Sequence, residues 1–371
     1  MHYQSLGNYM KNKFIFVTLT LIVLMISLSA CAGGGRLAAS GWPGITANGE
    51  TAYISFNQHV YAVNLTNGLE IWRYPAEPDA KITFYAAPSL TENDQVIVGG
   101  YDNILYSLNV QNGNVNWKFE EATDRYIGSS LVSGDMIFSP SSDNDLFALN
   151  LDGQPVWTQP FVSKNSNWSQ PTSDPNCECV YLASMDHSVH AIDPINGNGI
   201  WQSETLGGAT VGTPAVSEDG KTLYIGTFIN ELVAIDTSNG NILWRFPTEG
   251  WVWASPVVDG DVLYFGDISG NFYAIDRNTQ AILWNIQTGD DIVGTPLITD
   301  DGVYFTNEAG TLYALTKDGA TRWTKNFEAT LHTGPIATGD LILVATDESG
   351  LVLYAMDSEG AQKWMFSPSE E

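Results

Sequence analysis

The sequence predicts an all-β protein, an eight-bladed β-propeller of four-stranded antiparallel blades, on three observations. Eight of the 12 tryptophans recur about every 42 residues, at Trp72, Trp117, Trp157, Trp201, Trp244, Trp284, Trp323 and Trp364. Nine or ten residues before each stands a small residue: Ala62, Ser107, Ala148, Ala191, Ala234, Ala274, Ala314 or Ala355. Between the two lies a turn, opened by Asn64, Asn109, Asn150, Asp193, Asp236, Asp276, Thr316 or Asp357 and closed by a glycine in every copy but the sixth, which has Gln280. A period near 40 residues marks a propeller or solenoid. It overrides the two or three domains that 371 residues would otherwise suggest.

The elements follow in chain order. Residues 1–13 carry Lys11 and Lys13 and no acid, and residues 14–30 run apolar without a charge up to Cys31. That is the layout of a signal peptide, at the lower length limit for a bilayer span. The ending Leu28-Ser29-Ala30-Cys31 resembles a bacterial lipobox, which implies cleavage before Cys31 and its lipidation. Residues 1–30 are therefore expected to be a lipoprotein signal peptide. Residues 31–41 are expected to be the lipidated cysteine and a flexible tether containing Gly33, Gly34 and Gly35. The propeller takes residues 42–371, about 41 per blade.

Within a blade the fifth copy is plainest, with strand segments expected at 212–216, 222–226, 232–236 and 242–246. Asp219-Gly220 and Asn239-Gly240 are hairpin dipeptides, so consecutive strands pair antiparallel. Leu223-Tyr224-Ile225 is continuously apolar and needs cover on both faces. Radial stacking of the sheets supplies that cover, and closing the ring limits exposed edges. The chain starts with an inner strand near Trp42 and ends with an outer strand through Trp364, which leaves no strand shared between first and last blades. Residues 36–40 are the candidate for pairing at an edge instead.

Composition narrows the function. Hydrophobic residues make up 44% of the chain, enough for a sizeable core. The 42 acidic against 15 basic side chains give a net charge of −27. This excludes a nucleic-acid-binding body and docking on anionic lipid through a basic face.

The run Ala234-Ile235-Asp236, Asn239-Gly240, Trp244 resembles the tryptophan-docking motif of the pyrroloquinoline quinone (PQQ)-like propellers, and the likeness covers 42–371. It implies that each Trp lies flat against the neighbouring blade over the small residue, its indole N–H on a backbone carbonyl. Packing agrees, because a large flat side chain needs a small opposing residue and a buried N–H needs an acceptor. Quinone dehydrogenases of this family hold their cofactor with an adjacent Cys-Cys disulfide, calcium ligands and a basic side chain. Here the cysteines are Cys31, Cys177 and Cys179, with no adjacent pair, and Arg125 and Lys164 are the few basic candidates near the channel mouth. No catalytic residue and no cofactor are expected.

Cys177, Cys179, His187 and His190 do not read as a zinc site. A strand of several residues at about 3.3 Å each separates the cysteines from His187. His190 fills the core slot of Tyr61, Tyr106 and Phe147. Cys177 and Cys179 are open to either a local disulfide or free thiols. The acid pairs Asp143 with Asp145, Asp290 with Asp291 and Asp347 with Glu348 sit in turns and read as solvated charge, so no metal is expected.

Aligned on the first-strand prolines, the third residue before the proline is Tyr85, Trp168, Val211, Trp253, Val293 or His332, and Trp251 lies two before Trp253. The partner-binding candidates are Tyr85, Trp168, Trp251, Trp253 and His332, grouped at one channel mouth. The competing reading makes them caps on the core. Glu120, Glu121, Glu249, Asp290 and Asp291 are expected to surround them, which suits a partner segment offering apolar side chains and a positive charge.

The chain most resembles the BamB-type lipoproteins of outer-membrane assembly. That implies a non-catalytic, monomeric, lipid-anchored scaffold binding envelope proteins, on the outer membrane or the outer face of the cytoplasmic membrane. The alternative is a PQQ-dependent dehydrogenase or a small-ligand sensor using the channel mouth.

Overall fold

In the computed structural model, residues 42–174, 179–347 and 350–368 are described. Among them, 32 strands form eight four-stranded sheets, each built from four consecutive strands. The blades span residues 44–74, 89–119, 131–162, 172–202, 215–247, 257–287, 297–326 and 336–366. The fifth blade is typical, with strands Ala215–Val216, Thr222–Thr227, Glu231–Asp236 and Ile242–Pro247 paired antiparallel in order. Its inner strand is shorter than the sequence suggests. A Cβ on Gly212 would stand 3.1 Å from the Ala254 carbonyl, and Thr213 N–H donates to Ser255 Oγ of the next blade, so this stretch bonds sideways.

Leu223, Tyr224 and Ile225 are fully buried, as their unbroken apolar run demanded. Each hydrophobic cluster lies between two blades; one joins Tyr181, Ala183 and Val189 of blade 4 to Leu223, Ile225 and Val233 of blade 5.

The docking tryptophans tie the blades together. Ala62 pairs across strands with Trp72, Ala234 with Trp244 and Ala355 with Trp364, each beside a one-residue bulge. The small residue is thus the tryptophan's neighbour in its own sheet, not the surface it docks on. That surface is the turn glycine of the next blade. A Cβ on Gly113 would come within 2.6 Å of the Trp72 ring, and one on Gly240 within 2.6 Å of Trp201. These glycines also sit at positive φ, 70° and 78°, so two constraints select them. Indole N–H bonds run to the next blade from Trp72 to Val110 O, Trp117 to Leu151 O, Trp157 to Pro194 O and Trp201 to Thr237 O. The series continues from Trp284 to Lys317 O, Trp323 to Ser358 O and Trp364 to Leu65 O.

That last bond closes the ring. Trp364 donates to Leu65 O at 2.7 Å and its ring lies on Gly68. Beside it, Leu343, Leu353 and Phe366 of blade 8 pack with Ile45, Ile54 and Val63 of blade 1. Among the described residues no strand is exchanged between the two blades. The edge pairing expected of residues 36–40 lies outside the described residues.

Two blades depart from the pattern. In blade 3 the outer strand is Phe161–Val162 and Trp157 precedes it; upstream the chain meets the ladder at the Leu149–Pro155 bridge and through Val156 N–H to Ala148 O. Trp157 still docks and is 5% exposed. In blade 6 the turn position holds Gln280 at φ 59°, and Trp244 is the one docking indole with no interblade bond among the described residues. A side chain at φ > 0 costs about 1 kcal/mol, and its Cβ occupies the space the indole uses elsewhere. Gln280→Gly should therefore raise stability by about 1 kcal/mol, after the larger chain entropy of glycine is set against the relieved strain and the recovered bond. Urea denaturation midpoints check this; an unchanged or lower midpoint contradicts it.

Candidate functional site

The inner strands open onto one mouth of the channel, and register decides what lines it. The residue four positions before the first inner-strand residue of blades 2 to 8 is Tyr85, Ile127, Trp168, Val211, Trp253, Val293 and His332. Trp42 holds the same position in blade 1, whose inner strand starts two residues early. All eight line a single cavity of about 710 Å³. Proline alignment missed Trp42 and Ile127 because blades 1 and 3 carry Ile45 and Ser130 where the others carry proline. The docking alanine, traced through two strand pairings, would have found both.

Trp42 organises the site. Its ring stacks on His332 at 4.6 Å and 8° and packs against Tyr85 at 5.6 Å and Trp253 at 5.9 Å. A residue of blade 1 that reaches blades 2, 6 and 8 must lie over the channel axis. Tyr85 stacks in turn on Tyr101, and the Arg125 guanidinium lies 5.2 Å over the Tyr101 ring. Burial, with Tyr101 and Glu308 nearby, pushes the Tyr85 hydroxyl well above its ordinary pKa, so it stays protonated.

The structure thus brings four of the five candidates, Tyr85, Trp168, Trp253 and His332, to one cavity. Trp251 is set beside them. It stacks on Phe228 at 5.0 Å, Phe228 stacks on Trp253 at 5.0 Å, and Trp251 is 42% exposed on the outside of that sandwich.

His332 differs from the other seven mouth residues. Its Nδ1 lies 2.9 Å from Glu308 Oε1 and its Nε2 3.2 Å from Asp347 Oδ2. Both nitrogens can donate only as the imidazolium. Burial works against that charge, but the hydrogen bonds and charges of Asp347 and Glu308 outweigh it and raise the pKa above 6.5. Asp347 is accordingly an ion-pair partner rather than a solvated turn acid; Glu348 lies outside the described residues.

A histidine whose folded pKa is raised gives its full stabilisation below the unfolded value near 6.5 and loses it as pH climbs through the folded value. The melting temperature should therefore fall as pH is raised from 6.5 into the alkaline range. His332→Gln should flatten that slope, as read by thermal melts across pH; equal slopes in both proteins would contradict it.

Among the described residues no carboxylate lines the cavity, and its charged lining residues are Arg125 and His332. Of the acids expected around the mouth, Glu120, Glu121 and Glu249 are exposed, and Asp290 and Asp291 are half-buried. Asp291 is held above its ordinary pKa by burial and by Glu308, Asp290 and Asp267. Asp267 is fully buried and accepts backbone N–H bonds from Gly250, Ser269 and Asn271. Two polar atoms of the wall, Trp168 Nε1 and Thr333 Oγ1, are buried without a partner among the described residues.

Elsewhere the described residues hold no cluster of three or more metal-ligating side chains. His190 is 6% exposed and bonds Asp186 at 2.9 Å, which is its core role. Cys179 is disulfide-bonded, and Cys177 lies outside the described residues. So does Cys31, with the whole signal segment. Among the described residues no helix is long and apolar enough to cross a membrane.

Known structures share this fold. BamB from Moraxella catarrhalis superposes with a TM-score of 0.68 at 17% identity, covering 85% of this chain and 93% of that one. The computationally designed protein Ika8 gives 0.73 at 12% identity, covering 87% and 98%. The quinohemoprotein alcohol dehydrogenase ADHIIG from Pseudomonas putida HK5 gives 0.68 at 14%, covering 84% and 69%. At such identities these establish the propeller alone. No curated protein matches the chain by sequence. The family model of the outer membrane protein assembly factor BamB, however, matches residues 56–286 and 286–371, nearly the whole propeller, and the chain belongs to that family.

Proposed function

We propose that this protein is a non-catalytic, lipid-anchored scaffold of the cell envelope whose mouth face holds a protein partner in outer-membrane protein assembly. The observation that carries the reading is the aromatic mouth, in which Trp42, Tyr85, Trp168, Trp253 and the exposed Trp251 gather on one face of a rigid ring. Large aromatics at a water-facing rim are typical interface anchors, and family membership supports a protein partner. Fold alone would not fix the function, and the propeller is shared with an alcohol dehydrogenase.

Attachment is assigned to Cys31, at the end of the apolar run 14–30. Cys31→Ala should abolish fatty-acid labelling and lipoprotein processing in cells. A variant still labelled by fatty acid would remove the lipid anchor from the reading. Affinity purification of the wild type from membranes, followed by mass spectrometry, tests the scaffold role; envelope-assembly proteins should be recovered, and their absence counts against it.

A further inference from the structure

We propose that the rim cluster of Trp251, Phe228 and Ile229 is the surface through which the tethered propeller rests on the lipid bilayer, seated at headgroup level. The inference deepens the scaffold reading and rests on its lipid anchor; the mouth cavity stays with the protein partner. Strand direction puts the cluster and the root of the tether on one face. Each inner strand runs away from the mouth, so in an antiparallel blade the turn between the second and third strands returns to it, and the turn between the third and fourth lies on the opposite face. Phe228 and Ile229 stand in the mouth-side turn of blade 5, between Thr222–Thr227 and Glu231–Asp236. Trp251 follows the outer strand Ile242–Pro247, which ends on the same side. Trp42, the first described residue, lies over the channel axis on that face. Residues 31–41 can span at most about 40 Å, so a lipid on Cys31 is held within that distance of the mouth by covalent length alone. From Trp42 a row of rings leads outward, to Trp253 at 5.9 Å, on to Phe228 at 5.0 Å and then to Trp251 at 5.0 Å. Trp251 therefore stands three ring contacts from the tether's root, well inside its reach.

The chemistry of the cluster suits the headgroup layer. Trp251 is 42% and Ile229 44% exposed, and Phe228 is half-buried between the two tryptophans. A ring with an apolar body and a polar N–H favours the boundary between hydrocarbon and water. The patch is preformed. Ile229 sits on Gly207 and Gly208, where an added Cβ would come within 2.9 Å of its side chain, and Trp251 O accepts the Ile268 N–H at 3.0 Å. Three side chains would hold a bilayer weakly from free solution. A short linker raises the local concentration of the surface it is tied to into roughly the millimolar range, where a weak contact is populated. Charge does not supply the attraction. Glu204 and Glu249 beside the cluster are exposed, and the chain carries a net charge of −27. Anionic lipid should therefore loosen the contact, and salt, which screens charge beyond about 8 Å at physiological strength, should restore it.

Mature-length protein should be coupled through Cys31 to a maleimide-headed phospholipid, so that anchoring does not depend on processing in cells. It is then bound to phosphatidylcholine vesicles whose acyl chains carry bromine near the headgroup. Tryptophan emission should be quenched severalfold more in this protein than in the anchored Trp251→Phe variant, and hardly at all in unanchored protein at the same concentration. Replacing part of the phosphatidylcholine with phosphatidylglycerol at low salt should reduce the quenching, and added salt should bring it back. Ile195, 72% exposed in the turn between the third and fourth strands of blade 4, marks the opposite face. Ile195→Trp in the Trp251→Phe background should therefore add no quenching. Equal quenching of the anchored wild type and Trp251→Phe overturns the proposal, as does quenching from Ile195→Trp as strong as that from Trp251. Absence of quenching together with loss of partner recovery in Trp251→Ala also overturns it and gives the cluster to the protein partner. If Cys31 escapes fatty-acid labelling in cells, the anchor fails while the vesicle result stands, so the two failures are told apart.

Discussion

Trp364→Ala should unfasten the ring between blades 8 and 1 and lower stability by about 3–5 kcal/mol, the range for losing a large buried aromatic from a packed site. A domain held by about 5–15 kcal/mol in total has little to spare against such a loss. Every other junction is backed by a covalent connection from one blade to the next. Among the described residues the closing junction rests on the Trp364 to Leu65 hydrogen bond, the indole stacked on Gly68, the cluster around Ile45, Ile54, Leu343 and Leu353, and the Trp42 ring stacked on His332. Two of those four depend on Trp364 itself. Removing it should also change how the protein unfolds, with backbone amides of blades 8 and 1 exchanging before those of blades 3 to 6. Trp72→Ala removes an equivalent contact at a chain-continuous junction and should leave exchange uniform. Urea denaturation with hydrogen exchange separates the cases. If Trp364→Ala unfolds at the wild-type midpoint with uniform exchange, the docking indole does not close the ring.

The repeat was legible because docking imposes three separate demands on residue type: an indole, a small cross-strand neighbour such as Ala62, and a glycine at positive φ such as Gly113. Each is a local demand, and all three are visible in every copy but the sixth, where Gln280 replaces the glycine. The error in reading it was geometric. The sequence shows that Ala62 and Trp72 are about ten residues apart, but not whether they face each other across blades or stand side by side in one sheet; the bulge after Ala62 settles it. The mouth was only half legible. Tyr85, Trp168, Trp253 and His332 stand at fixed register and were found. Trp42 escaped because blade 1 has Ile45 where others have proline, and Tyr101 and Phe228 because they lie in turns after the second strand, outside the repeat. The charge of the wall could not be read at all. Among the acids of the connecting segments, Asp267 turns inward onto backbone amides, and Asp347 and Glu308 turn onto His332. Which way an acid in a turn points depends on the donors around it, and those come from neighbouring blades.

Trp168→Ala combined with Trp253→Ala should abolish partner recovery from membranes while leaving the propeller folded. Truncating a central interface tryptophan commonly costs about 2 kcal/mol or more, roughly 30-fold in affinity, and two such losses on separate blades approach a thousandfold if they add. Trp168 and Trp253 belong to the fourth and sixth of the eight mouth positions, and Val211 stands between them. Neither is a docking residue. Trp253 meets Trp42 and Phe228 across the cavity rather than a glycine of the next blade, and Trp168 has its indole N–H unpaired. Their loss should therefore widen the mouth without parting the blades, and circular dichroism and the melting curve should stay close to wild type. Trp244→Ala is the control with the opposite profile: its indole packs between blades 5 and 6 with Tyr224, Phe265 and Tyr273, so stability should fall first and partner recovery only as a consequence. If the folded double variant still captures every wild-type partner, the aromatic mouth is not the partner site, and the exposed face of Trp251 and Phe228 becomes the next surface to truncate.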